Sequence, residues 1–559
     1  MAQWQKELKG EETPLWKMYL DGVRYQSTLG LRTSIPQNVD FYEGRQWPPP
    51  TESTKNLPRP VVNIVKMICR SKRASILSTP VKLLYKSYSP RTDTERLNDF
   101  LDSILKELNQ EGLDKLAVDD GIKKGSYFYH YYWDSAGIGH TGRADGGVRC
   151  EIIDPLSIFF ASPHQIDEQK QEWILISTTV TPDYLLSICD KGLLPALKSS
   201  LQGENSTKLT LLTRYFRVNG EVFCERGTKS AYVSAPFPLS PRLEEIESAL
   251  NQAQTADKSQ KSPEQAPIKA RKRAVATLYP IVCGSYERRE GSIYGISEIE
   301  GIIPNQKAIN FNIAMSLLNA QQCAWGKYIA LPGALQGQKI LNTPGQVLID
   351  HTGTGGGIKR MSEQELSSSP ISLVQELTEL TRTATGVNEI MSGEALSSNM
   401  SGVAIAQLQA QAEVPIEELR SSFWEAKRKQ GLVLAQFIRL YYYDKEFIRK
   451  TKDKNGRECE ICDYFYSKDY ESSVLDVVVE PTRGTRASIT SDINLLDTCL
   501  KNGKISLEAY IRAYPEGAVN NKTAILKQLE EEKASEITQL RKELEMYKKG
   551  KTLDPVSIV

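Results

Sequence analysis

Apolar residues recur at three- and four-residue steps over positions 61–120, as in Ile64, Ile68 and Leu77 and again in Leu97, Leu101, Leu105 and Leu108. This spacing predicts helices there and, by the same pattern, over 1–35. Between them "DFYEGRQWPPP" ends in three prolines (48–50) that stop regular structure, so its aromatic residues are expected to pack a helix end against a neighbour. From Ser126 the text becomes "SYFYHYYWD", then a glycine-rich stretch, then "VRCEIIDPLSIFF", which reads as two strands joined by a loop. Further strands are expected over 172–180, 208–218 and 221–227, the last two around an Asn219-Gly220 turn. Residues 1–240 thus read as a mixed α+β region. The tract 251–273 lacks aromatic residues and nearly all large apolar ones; it is expected to be a mobile excursion, because it cannot bury enough surface to order itself.

The second half has a different pattern. Residues 296–325 read as a helix with an early proline, 326–361 as a compact strand-and-turn insert, and 369–391 as a returning helix with Leu373, Leu377 and Leu380 on one stripe. A small polar loop follows, "SGEALSSNMSG" (392–402), and then a very long helix over about 402–443. Pro415 removes one backbone bond inside that helix, which predicts a kink near Glu413. The tail reads as strands over about 456–480 and then helices rich in lysine and glutamate, without an internal repeat. The fold class expected is α+β, mainly helical.

The chain has 559 residues, enough for two to four substructures with ample buried area. Its net charge of +1 supplies no global basic field, so any role toward DNA must be local. Nine scattered cysteines, an odd number, point to free thiols in a reducing cytoplasm. The first residues carry no apolar run or cleavage-like site, and no window approaches about eighteen uncharged apolar residues. Neither export nor a membrane partner is expected.

Several motifs invite chemistry and do not sustain it. "HTGTGGGIKR" (351–360) has an isoleucine between Gly357 and Lys359 and an arginine after the lysine, which breaks a phosphate loop; a flexible hairpin tip is expected. "CEIC" (459–462) has zinc-like spacing but no second pair, and the chain's histidines are His130, His140, His164 and His351, so no metal is expected. The aromatic run 127–133 fits a core strand better than a base-stacking platform. "KARKR" (269–273) fits a solvated face better than a phosphate contact. Without a nucleophile, metal or phosphate motif, neither an enzyme nor a cofactor is expected. A nucleic-acid-processing enzyme of the virion and a plain structural neck protein are the alternatives.

The order of these elements resembles the portal proteins of tailed double-stranded DNA bacteriophages, the head-to-tail connectors. The carriers are "DFYEGRQW" with "LPRPVVNIVKMI", "EIIDPLSIFFA", "NTPGQVLID" and "SGVAIAQLQAQAEVPIEELRSSFWEAKRKQGLVLAQFI", in this order over roughly 35–500. The resemblance implies a wing (1–296), a stem helix (297–325), a clip (326–362) and a returning stem helix (363–391). It further implies a tunnel loop (392–401), a long kinked helix (402–443), a return to the wing (444–480) and a crown with C-terminal helices (481–559). It implies a closed ring of about twelve copies at one capsid vertex, joined by head-to-tail contacts. Double-stranded DNA would pass through the channel during packaging and ejection. Other partners would be the major capsid and scaffolding proteins, the packaging ATPase (terminase) and a neck or tail adaptor. The protein would be made in the bacterial host cytoplasm and reside in the virion.

Under this resemblance the loop residues Ser392, Gly393, Glu394, Leu396, Ser397, Ser398, Asn399 and Met400 would touch DNA, and they include no lysine or arginine to hold phosphate. Glu376 and Glu379, with Arg382, would line the channel on the returning helix, where Glu389 adds a further carboxylate. Tyr328 and Ile329 on one strand and Val347 and Ile349 on another would pair between subunits in the clip, where motor and adaptor dock. Pro415 would mark the kink of the long helix.

Overall fold

The computed structural model describes residues 12–87, 93–136, 146–201, 207–241, 275–324, 328–341, 347–361 save Thr354, 369–387, 402–442, 445–452, 458–470, 473–481 and 486–514, with scattered positions over 525–545. The tract 251–273, its "KARKR" cluster and most of the C-terminal helical region lie outside these.

The chain opens with helices α1 (Pro14–Thr28) and α2 (Leu31–Glu43). Thr13 caps α1 by accepting from the Trp16 N–H, and proline follows it at the first helical position, where its missing N–H costs nothing. The second helix extends beyond the expected end and takes in Phe41 and Tyr42; it stops at Gly44, whose φ of 96° suits glycine. Next come α3 (Ile64–Ile76), β1 (Val81–Ser87), α4 (Thr94–Glu107) and α5 (Gln110–Lys124).

The expected strands β2 (Ser126–Asp134) and β5 (Trp173–Val180) are then present, but the single strand expected over "VRCEIIDPLSIFF" is two, β3 (Gly147–Ile153) and β4 (Ile158–Phe160), parted by a turn at Pro155–Ser157 and lying in different sheets. Two short helices, α6 (Pro182–Ile188) and α7 (Leu194–Leu201), precede β6 (Leu209–Val218), β7 (Glu221–Gly227) and β8 (Tyr232–Pro238). Asn219 and Gly220, at φ 52° and 84°, make the tight β6–β7 turn in the conformation that a two-residue hairpin favours. Strand β9 (Ile281–Ser285) follows.

Strands β4 to β8 form a five-stranded antiparallel sheet in chain order, and β3-β2-β9 form a second sheet. Alternation sorts the side chains of the larger sheet: Phe159, Leu175 and Leu212 pack with Leu15 of α1, whereas Ile158, Phe160, Ile174 and Ile176 pack toward Phe128, Tyr279 and Ile281. Within the aromatic run, Tyr127, Phe128, Tyr129 and Tyr131 are buried, as the core reading expects, and Trp133 stacks on Tyr441.

His130 joins the two sheets, with Nδ1 at 2.8 Å from Glu151 of β3 and Nε2 at 2.7 Å from the Tyr215 hydroxyl of β6.

The remaining elements are α8 (Glu298–Ala324), β10 (Tyr328–Ala330), β11 (Ile358–Arg360), α9 (Ser369–Ala384), α10 (Gly402–Tyr441), the hairpin β12 (Lys445–Lys452) and β13 (Glu458–Phe465), β14 (Leu475–Pro481), α11 (Arg486–Lys501) and α12 (Leu507–Ala513). Strand β14 pairs antiparallel with β1, from Val81 opposite Pro481 to Ser87 opposite Leu475, which carries the chain back to its N-terminal region. The C-terminal half of α10 runs through the largest core, burying Phe423, Ala426, Val433, Leu434, Phe437 and Ile438. On that helix Lys427 is also buried, ion-paired to Asp114 of α5. Burial lowers the pKa of the Lys427 ammonium and the Asp114 carboxylate opposes that shift. Asp114 also accepts at 2.9 Å from the Tyr129 hydroxyl and from Gln110 Nε2.

Lys427→Met is expected to cost about 3–5 kcal/mol, because it leaves a buried carboxylate unpaired. Adding Asp114→Asn should recover part of the loss; denaturant midpoints of the three proteins check this. The hydrogen bond from His130 holds the Glu151 carboxyl below its ordinary 4.5, so its contribution is full above that pH and disappears as pH falls through the lowered value. The stability difference between wild type and Glu151→Gln should therefore shrink as pH falls below 4.5, read from thermal unfolding at stepped pH.

Candidate functional site

Helices α8 and α9 form an antiparallel hairpin that leaves the body. Near its base Asn305 Nδ2 donates to Thr381 Oγ1 at 3.0 Å, and near its tip Arg360 Nη2 donates to the Cys323 carbonyl at 2.6 Å.

Buried amides lock the base. Gln306 Oε1 accepts from the Ile64 N–H at 3.0 Å and the Val65 N–H at 3.4 Å, so a side chain of α8 caps the N-terminus of α3. Its Nε2 donates to the Val62 carbonyl at 2.8 Å and to Asn310 Oδ1 at 3.0 Å, and Asn310 in turn donates to Gln46 at 2.6 Å. About two turns before this ladder, Lys72 of α3 pairs with Glu298 at 2.8 Å in near-complete burial, and the Tyr286 hydroxyl donates to the same carboxylate at 2.7 Å. Gln306 and Asn310 stand four apart in "NQKAIN", a polar stripe inside an apolar helix that was legible in the text; their distant partners were not.

The returning helix ends sooner than expected. It stops at Ala384, because Gly386 takes φ 71° and the N–H groups of Gly386 and Val387 bond back to the Thr383 and Arg382 carbonyls. Val387 is fully buried beside Ile416, and a Cβ on Gly386 would come within 3.0 Å of the Pro415 Cβ. The helix α10 is continuous through Pro415.

The stripe of α9 also differs from the expected one. Val374, Leu377, Thr378 and Thr381 are its covered positions, whereas Leu373 and Leu380 are exposed. Opposite the covered line lie Ser372, Glu376, Glu379 and Thr383, all exposed. Arg382 does not share that exposed face: its Nη2 lies 3.6 Å from the Met67 sulfur on α3. On α8, Lys307, Phe311 and Met315, four residues apart, are exposed together.

In the insert at the tip, Tyr328 and Ile329 lie on a strand, but its partner is Ile358–Arg360, from the segment expected to be a glycine-rich tip. Val347 and Ile349 are not in a strand; the Gln338 amide hooks the backbone of Ile349 through both its N–H, at 3.1 Å, and its carbonyl, at 3.4 Å. Asp350 accepts from Thr352 and from the Gly357 N–H, and these bonds hold its carboxyl below its ordinary range. Ala334 is buried in the insert, whereas Tyr328, Ile329, Leu331, Leu341 and Ile349 are exposed and Val347 is 82% exposed.

The expected DNA-touching residues Ser392, Gly393, Glu394, Leu396, Ser397, Ser398, Asn399 and Met400 lie outside the described residues, as does Glu389. Among the described residues no group of three or more histidine, cysteine, aspartate or glutamate side chains is placed to hold a metal. No described helix is long and apolar enough to cross a membrane.

Gln306→Leu should cost about 2–3 kcal/mol, because it strips two backbone donors of α3 of their buried acceptor. Faster amide exchange at the first turn of α3 and over the base of α8, by hydrogen-exchange mass spectrometry, is the expected signature.

No curated protein matches the chain. Residues 242–483, which hold the hairpin, its tip, the long helix and strands β12 to β14, match the family model of the phage P22-like portal protein, and it is this family, of structural rather than catalytic proteins, that the chain resembles.

Proposed function

We propose that the chain is the subunit of a portal ring, a closed assembly of about twelve copies at one capsid vertex through which DNA is packaged and ejected. The observation that carries this reading is the hairpin α8/α9: its base is locked by buried amides, while its outer faces and tip leave large apolar side chains uncovered. A surface of that kind is expected where another copy completes the structure.

In this reading the hairpin is the stem and the insert is the clip. The body from the N-terminus to α8 is the wing, rejoined by β14, and the C-terminal helices form the crown. A two-stranded ladder with little core of its own is marginal in water, so the insert gains its stability from neighbouring clips. The resulting outer ring docks the packaging ATPase during filling and the neck or tail adaptor afterwards. Capsid and scaffolding proteins meet the body. Glu376 puts negative charge on the exposed face of α9, and a negative wall repels phosphate and favours sliding over binding. Residues 392–401 touch the duplex as it moves.

Native mass measurement and negative-stain images of the purified protein are expected to give a ring with a central hole. A chain that stays monomeric at high concentration with scaffolding protein present overturns the reading. Lysines at Ser397 and Asn399 are expected to lower the DNA retained in particles while leaving ring assembly intact; unchanged DNA content removes the loop from the channel.

A further inference from the structure

From the geometry of the hairpin we infer an ion pair between copies, Lys307 of one with Glu379 of the next. It rests on the ring reading and deepens it, by assigning Glu379 to the seam between copies and leaving Glu376 to the channel. Lys307 and Glu379 are both exposed, and neither has an ion-pair partner among the described residues; the Lys307 ammonium lies 5.6 Å from the Phe41 ring centroid.

The two stand on different helices of one hairpin, so the height of each can be compared. Asn305 and Thr381 touch at 3.0 Å and mark a common level. The helices run in opposite directions, so two residues forward on α8 and two residues back on α9 are the same step of about 3 Å toward the tip. Those positions are Lys307 and Glu379.

Taking the ring axis along the hairpin, rotation from one copy to the next keeps every residue at its own height. The free lysine on α8 of one copy and the free carboxylate on α9 of the next are then level, with opposite charge. The covered line of α9, Val374, Leu377 and Thr381, faces α8 of its own chain, which leaves Glu379 on the far side, available to a neighbour. Unlike patches on one subunit are what a head-to-tail contact requires, and the pair repeats at every seam of the ring.

The test is a charge exchange in the full chain, with Lys307→Glu, Glu379→Lys and the double variant compared with wild type by native mass measurement and negative-stain images. Each single variant is expected to lower the ring fraction roughly tenfold, and the double variant to restore it to near the wild-type level. Restoration also shows that the single variants failed in assembly rather than in folding, since both side chains lie on the surface. Wild-type rings with single variants that assemble equally well, or a double variant no better than the singles, overturn this inference alone. A wild-type chain that never forms rings overturns the ring reading and the ion pair with it.

Discussion

A lysine at the centre of an apolar core is tolerable only where a fixed carboxylate meets it, and the body is organised around that constraint. Asp114 is held from two other sides by Tyr129 and Gln110, so Lys427 has one productive position. This fixes the register of α10, because a slip of one residue would turn the ammonium about 100° away from Asp114 and toward the apolar core that Phe423 and Ala426 enter. The same helix carries Ile416 eleven residues earlier, about 16 Å along the axis. Where Pro415 and Ile416 meet Gly386 and Val387 is therefore inherited from a charge pair three turns away. Arg420 reinforces the register between them, donating to the Ser75 carbonyl at 3.0 Å near the C-terminus of α3, where positive charge is favoured.

Much of this was legible from the text and some was not, for identifiable reasons. Strands β2, β3 and β5 to β7 announced themselves by aromatic and β-branched alternation, and the Asn219-Gly220 turn by its residue types, whereas the break at Pro155 that makes β4 a separate strand went unread. The stripe on α9 misled because Leu373 and Leu380 are as apolar as Leu377. Periodicity reports a face, but it does not say whether that face meets its own chain or another surface. The short end of α9 turned on Gly386, which reads as an ordinary residue inside "TATGVNEI" until its left-handed φ is known. In the insert, glycines suggested a loose tip, whereas Gly357 is closely packed there: a Cβ would lie 2.4 Å from the Asp350 carboxylate and would displace it. Long-range polar pairs such as Gln306 with Ile64, or Lys427 with Asp114, leave only half of their signal at any one place in a sequence.

The hairpin divides into two regimes. Its base uses hydrogen bonds between buried amides and backbone groups, which are directional and fix where the stem leaves the body. Toward its tip apolar side chains of the described residues are left open, among them Tyr328, Ile329, Leu331 and Val347, a surface that is costly for a single chain in water. The order of these regimes matters for assembly. A stem that is rigid before assembly presents its outer faces in one orientation, so a neighbour docks without first ordering them, and association loses less conformational freedom. In the proposed ring, an insert that is incomplete alone would gain its last stabilisation only when copies meet, which would link the integrity of the outlet to closure. Lys307 and Glu379 are exposed on that hairpin two residues toward the tip from the Asn305–Thr381 contact, and in the proposed ring that is an arrangement a rotation axis can use.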